Sequence, residues 1–137
     1  MISAIAITSL ASFLCTVAMA EESRLTDLRC EDLANPLGID IAQPRLSWVA
    51  KSDQRGLKQT AYRVLVASSL EQLAKNRADL WDSGKVNSSH SLHVIYDGEK
   101  LESRSTYFWK VMLFDKNGAS SAWSNPETFG TGIFPQD

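Results

Sequence analysis

Carboxylates set in pairs are the residues of this sequence best suited to chemistry, because two of them can divide the work of proton donor and proton acceptor. Four pairs qualify by spacing: Glu21-Glu22, Glu31-Asp32, Asp79 with Asp82, and Glu99 with Glu102. The first two are adjacent in the chain, the third falls in a loop and the fourth flanks a turn. Solvated surface is the reading these positions favour. His90 and His93 are the only histidines. In an extended segment a spacing of three turns them to opposite faces, and neither a cysteine nor an acidic cluster adjoins them in sequence, so they do not read as a metal site. Cys30 has no histidine placed in sequence to activate it and reads as a small buried hydrophobe. No catalytic residue, cofactor or metal ligand is expected in the chain.

The elements that would have to position any such group are extended. The stretch Tyr107–Phe114 alternates with period two, Tyr107, Trp109, Val111 and Leu113 against Phe108, Lys110, Met112 and Phe114. The first set is the expected core face. Asn117-Gly118 follows as a hairpin turn, and the chain returns through Trp123 and Phe129. Leu46, Trp48 and Ala50 alternate after Pro44, and Tyr62, Val64 and Val66 form the inner side of a central strand. Leu25–Glu31 reads as a short strand, with Leu25 on the opposite face from Leu28 and Cys30. Leu92, Val94 and Tyr96 alternate once more before Asp97-Gly98. One helix interrupts this series. Ser69-Leu70-Glu71-Gln72 is a capping box, and Leu70, Leu73 and Ala74 share a face, so a short helix is expected to run to Arg77 across one end of the sheets.

Six or seven short strands separated by Gly, Pro, Asn and Asp turns point to an all-β, antiparallel β-sandwich of the immunoglobulin or fibronectin type III kind with one short helix. Tyr107 stands where such sandwiches place a tyrosine corner. The 137 residues, 44% hydrophobic and 22% charged, suffice for one core. A net charge of −2 without any run of Lys or Arg argues against nucleic acid and against membrane-surface binding.

Residues 1–20 carry no charge and end Ala18-Met19-Ala20 just before Glu21-Glu22. This is the pattern of a signal peptide cleaved between Ala20 and Glu21, although the n-region lacks Lys or Arg. The alternative is an uncleaved anchor, for which Ser3, Thr8, Ser9, Ser12 and Thr16 make a poor span. The expected division is a signal over 1–20 and a sandwich domain over 21–137, in a secreted or periplasmic protein with no membrane contact once the signal is gone. Cys15 leaves with the signal, so Cys30 has no disulfide partner within the chain.

The segments L-T-D-L-R-C-E-D-L-A-N-P-L-G-I-D, P-R-L-S-W, R-G-L-K-Q-T-A-Y-R-V-L-V-A-S-S, L-W-D-S-G-K-V, S-R-S-T-Y-F-W-K-V and F-G-T-G occur in that order between Leu25 and Ile133. Together they resemble the N-terminal domain of bacterial α-L-rhamnosidases. The resemblance implies a fibronectin type III-like sandwich at the start of a large secreted or periplasmic glycoside hydrolase that removes terminal α-linked L-rhamnose by inversion. It further implies that the catalytic domain lies beyond this region, so no catalytic carboxylate carries over to any position here.

An inverting enzyme needs an acid and a base held far enough apart to admit water between sugar and base, and none of the four carboxylate pairs suits this. The residues with an open role are aromatic. Trp81 either packs on the core or a neighbouring domain, or offers its ring to a sugar. Phe129 and Phe134 lie near Gly130 and Gly132, where the backbone can turn toward following domains, and are the other candidates for sugar or interdomain contact. Three functions fit: an accessory domain of a rhamnosidase partnered by its following domains, a free-standing module binding rhamnose-containing glycans, and a secreted interaction domain. The break in composition at Glu21 carries its own test: the intact mass of the exported protein is expected to lack Met1–Ala20, and a mass that retains them would overturn the signal assignment.

Overall fold

The computed structural model describes residues 25–50 and 58–135. The expected signal over 1–20, its cleavage between Ala20 and Glu21, and most of the polar stretch from Ser52 to Lys58, whose Arg55-Gly56 reads as a loop, lie outside the described residues. The elements are β1 (Leu25–Cys30), β2 (Arg45–Ala50), β3 (Ala61–Ala67), α1 (Leu70–Ala74), β4 (Trp81–Asp82), β5 (Val94–Ile95), β6 (Thr106–Phe114) and β7 (Glu127–Gly130). They form two antiparallel sheets, β1-β2-β5 and β4-β3-β6-β7, so the expected sandwich with one short helix is what the chain adopts.

The longest ladder joins β3 to β6, from Ala61 opposite Phe114 to Ala67 opposite Phe108. Valine, tyrosine and tryptophan suit this pleated surface because their branched or flat side chains pack across strands. Tyr62, Val64 and Val66 of β3 and Tyr107, Trp109, Val111 and Leu113 of β6 face inward and meet Leu46 and Trp48 from β2. The Trp48 ring stands edge-on to Tyr62, with centroids 5.2 Å apart. Its Nε1 donates to Gln59 Oε1 at 3.2 Å, and Gln59 Nε2 in turn donates to the carbonyls of Ser88 and His90. The indole N–H is thus satisfied at the edge of the core, as burial of a polar handle requires. Tyr107 makes the expected corner, its hydroxyl accepting from the backbone N–H of Glu102 at 2.8 Å.

Several sequence expectations are corrected, and each correction has a local cause. Leu25, Leu28 and Cys30 all point inward, because Asp27 takes φ +51° and the β1–β2 register shifts between Thr26 and Arg29. Such a bulge inserts a residue and resets the alternation. Leu92 is exposed rather than aligned with Val94 and Tyr96, because His93 at φ +52° breaks the pleat between them. Ala50, the last residue of β2, is exposed as well.

The helix starts where expected, with Ser69 Oγ accepting from Gln72 N, but stops early. Asn76 adopts φ +56°, Arg77 N donates to Gln72 O and Asn76 N to Leu73 O, which together close a Schellman motif. Instead of crossing one end of the sheets, α1 lies on the outer face of β3 and β6. Leu73 is buried there against Leu65 and Ala67, with Ala78, Phe108 and Trp123 packed around them, while Leu70 stays exposed.

The turn after β6 uses the Asn-Gly pair as predicted. Gly118 sits at φ +80°, and Asp115 Oδ1 accepts from Asn117 N and Ala119 N. The return through Trp123 is not a continuous strand, however. Ser124 Oγ accepts from Val111 N and Ser121 Oγ from Leu113 N, each at 3.0 Å, so two hydroxyls take the place of ladder carbonyls until β7 begins.

This covering of the outer face also encloses Lys110, which the alternation of β6 sets on the face away from the main core. Lys110 is buried, its Nζ lies 4.8 Å from the Trp123 ring centroid, and it donates to Asn76 Oδ1 at 2.5 Å. Trp109→Ala is expected to cost about 3–5 kcal/mol in denaturant unfolding, as loss of a buried aromatic does. Lys110→Ala is expected to cost about 1–2 kcal/mol through its stem packing and its charged hydrogen bond. A silent Lys110→Ala would contradict the outer-face packing.

Candidate functional site

Of the carboxylate pairs weighed for chemistry, Glu21-Glu22 lies outside the described residues, Glu99 and Glu102 are exposed, and Glu31, Asp32, Asp79 and Asp82 are each engaged structurally. Glu31 is held by Arg45, whose Nη2 lies 2.7 Å from Oε2 and whose backbone N–H donates to Oε1 at 2.7 Å. The Arg45 hydrogen bonds and charge hold the Glu31 carboxyl below the usual range despite partial burial. Asp82 receives a two-point contact from Arg63, at 3.0 and 2.6 Å, and is lowered for the same reason. A general acid at neutral pH requires the opposite displacement, a carboxyl raised by burial without a cationic partner. Asp79 accepts from both the backbone N–H and the hydroxyl of Ser68.

His93 Nε2 lies 3.0 Å from Asp32 Oδ1, on an exposed surface. Sequence reading found no carboxylate beside this histidine because the two are 61 positions apart, and only the pairing of β1 and β5 with β2 brings them together. Among the described residues no group of three or more His, Cys, Asp or Glu is arranged to hold a metal ion. Cys30 is fully buried, and desolvation pushes its thiol up to about 12, far from the thiolate a nucleophile needs.

The aromatic candidates separate. Trp81 is half-buried, its ring edge-on to Tyr96 at 5.4 Å, and it packs against the main core. The turn after Tyr96 presses on the same place: a Cβ at Gly98 would fall within 2.6 Å of Leu80 O, Trp81 Cβ and the Tyr96 hydroxyl. Glycine is therefore required there. Phe129 and Phe134, the other two aromatic candidates, are both buried inside the domain. The pleat of β7 turns Phe129 inward, completely buried, with its ring 5.5 Å from Tyr107. Phe134 is drawn inside as well, its backbone N–H donating to Ser103 Oγ at 2.9 Å.

What this end of the domain does expose is aliphatic. Residues 130–132 run beside the loop after β1: Gly130 N donates to Pro36 O, Ile39 N to Gly130 O and Gly132 N to Ile39 O. Pro36 and Ile39 are buried beneath this contact, while Leu33, Leu37, Ile41 and Ile133 stand out from it, Leu37 at 87% exposure. An open depression here is lined by Glu31, Leu33 and residues 36–41. No sequence periodicity signals this surface, because the segment belongs to neither sheet and its inward and outward residues follow no regular spacing.

Residues 25–135 match the sequence model of a family described as the Rha78A-like, N-terminal immunoglobulin domain. An α-L-rhamnosidase of Streptomyces avermitilis is 46% identical over 110 residues, covering 80% of this chain and 10% of its own length. One of Formosa agariphila is 42% identical over 103 residues, 75% of this chain and 11% of its own. The structure of α-L-rhamnosidase from Dictyoglumus thermophilum superposes with a TM-score of 0.79 at 42% identity, over 83% of this chain and 13% of that one. The chain thus spans about a tenth of the length of these curated relatives.

The Glu31–Arg45 contact makes stability depend on pH in a definite direction. Because the folded carboxyl titrates below its ordinary value of 4.5, its contribution is complete above that value and is lost as pH falls through the folded one. Glu31→Gln is expected to lower stability at neutral pH and to flatten the acid limb of a melting-temperature profile. An unchanged acid limb would show that this carboxylate does not contribute.

Proposed function

This chain belongs to the Rha78A-like N-terminal immunoglobulin domains, and from that premise we propose that it serves an α-L-rhamnosidase as a non-catalytic accessory domain, partnered by the domains that follow it. The observation that carries the reading is coverage: one sandwich accounts for the matched region, and that region is about a tenth of each relative's length. The parent's reaction, removal of terminal α-linked L-rhamnose, belongs to the remaining length. The engagement of Glu31 by Arg45, Asp82 by Arg63 and Asp79 by Ser68 supports the same division, since each carboxylate is committed to holding loops and strands together.

Export completes the proposal. Residues 1–20 act as a signal, cleavage between Ala20 and Glu21 releases the domain, and the protein works in the periplasm or outside the cell. Direct binding of a rhamnose-containing glycan is the second reading, and Trp81 is the observation that favours it, through the part of its ring left exposed beside Tyr96. Titration with L-rhamnose separates the two: a saturable response abolished by Trp81→Ala supports the module, and none supports the accessory role.

The 137-residue chain is expected to leave an aryl α-L-rhamnoside unhydrolysed above the uncatalysed rate, whereas a longer polypeptide that joins it to the remaining domains of a rhamnosidase is expected to hydrolyse it. Turnover by the short chain that a single Asp or Glu substitution abolishes would overturn the non-catalytic reading.

A further inference from the structure

We propose that the aliphatic surface formed by Leu33, Leu37, Ile41 and Ile133 is the seat of a following domain of the same polypeptide. This rests on the accessory-domain reading and identifies the face through which that role is exercised. Three of the eight large hydrophobic side chains exposed among the described residues, Leu33, Leu37 and Ile41, line one depression, Ile133 follows the Gly132 that bonds to Ile39, and Leu37 is the most exposed of all. A clustered apolar area of this kind is the usual mark of an interaction site, whereas single exposed aliphatics are ordinary.

The backbone beneath it is fixed in advance. Three hydrogen bonds of 2.7 to 2.9 Å tie residues 36–39 to 130–132, so little conformational freedom remains to be lost on docking. The chemistry facing outward is selective as well. The one carboxylate at the inner edge, Glu31, is already neutralised by Arg45, which leaves Asp40 as the exposed charge on the rim. The occupant is therefore an apolar ridge with a cation or hydrogen-bond donor at its margin.

Position selects the occupant. Ile133 lies in the last described turn of the domain, and in the relatives most of the polypeptide lies outside the region this chain matches. A domain joined just beyond Ile133 is held at high effective concentration beside this surface, so docking requires only modest intrinsic affinity. The other exposed aliphatics, Val49 on β2, Leu70 on α1, and Leu92 and Ile95 beside and on β5, have no such tether.

The test is covalent surface labelling with a photogenerated carbene, read by peptide mass spectrometry on the 137-residue chain and on a longer polypeptide that joins it to the remaining domains of a rhamnosidase. Hydrolysis of an aryl α-L-rhamnoside is measured on the same longer sample. Leu37 and Ile133 are expected to label several-fold less in the longer polypeptide, with Leu92 and Ile95 unchanged, and Leu37→Asp is expected to lower the melting temperature of the longer polypeptide alone. Hydrolysis with undiminished labelling of Leu37 and Ile133 would overturn the docking surface and leave the accessory reading intact. Protection without hydrolysis would leave the surface and overturn the rhamnosidase reading. Protection that already appears in the short chain as its concentration rises would assign the surface to a second copy and overturn the proposal.

Discussion

The ladder between β3 and β6 is buried on both faces, and the rest of the domain is arranged to keep it so. On the inner side Val64, Val66, Trp109 and Val111 are sealed by β2 with Leu46 and Trp48. On the outer side Leu65 and Ala67 are sealed by Leu73 of the helix and by Trp123. A strand pair covered on one face only would present a solvated outer row, where a lysine costs nothing. Covering both faces forces Lys110 to find a partner under cover, and the chain supplies two. The helix-ending Asn76 accepts its charge-bearing hydrogen bond, and Trp123 offers its ring. Burial nevertheless disfavours the ammonium and lowers its pKa. The left-handed residue that stops the helix is thus the residue that satisfies the sheet's buried cation.

A second constraint comes from the edge of the four-stranded sheet. β7 would leave an open row of backbone groups along its outer side, and such edges invite pairing with other chains. The loop after β1 covers it: Asn35 Oδ1 accepts from Thr128 N, Pro36 O from Gly130 N, and Ile39 N donates to Gly130 O. Because that loop leaves the three-stranded sheet and closes on the four-stranded one, it also fastens the two layers together. The polar groups of the segment are spent on this closure. Its outward side chains include Leu33, Leu37 and Ile41 beside Asp40, so the device that removes a hydrogen-bonding edge leaves a largely apolar surface in its place.

Alternation made the centre of the fold legible. The inward sets of β3 and β6, Trp48 in β2, the Ser69 cap, the Asn-Gly turn and the tyrosine corner at Tyr107 were all readable, because each depends on residue types at fixed local spacing. Legibility failed wherever a residue other than glycine took a left-handed conformation. Asp27, Asn76 and His93 each reset a pattern that an uninterrupted count carried forward, and such conformations are set by packing around the residue more than by its own preference. The second loss was non-local. Nothing near Lys110 in sequence announces Asn76 or Trp123, and nothing near His93 announces Asp32. For the candidate site the choice of aromatics near Gly130 and Gly132 did not foresee burial, for Phe129 and Phe134 both lie inside the domain. Aromatic size drew attention to Phe129 and Phe134, yet size is also what the core recruits first.

That last failure bears on how an accessory sandwich can be recognised at all. A catalytic centre betrays itself by groups held against their preference, a carboxyl raised or a thiol lowered. Here the displaced groups are lowered carboxyls with their arginine partners, a thiol and two tyrosines raised by burial, and Lys110 lowered beneath Asn76 and Trp123, all of which describe a structure holding itself together. What such a domain contributes to a larger chain must then reside in surface that its own fold does not use. Leu33, Leu37, Ile41 and Ile133 meet that condition: the backbone around them is consumed by closure of the sandwich while their side chains are exposed. A second domain seated there would complete the burial that this one begins, extending the core of Phe129 and Phe134 outward through Ile133.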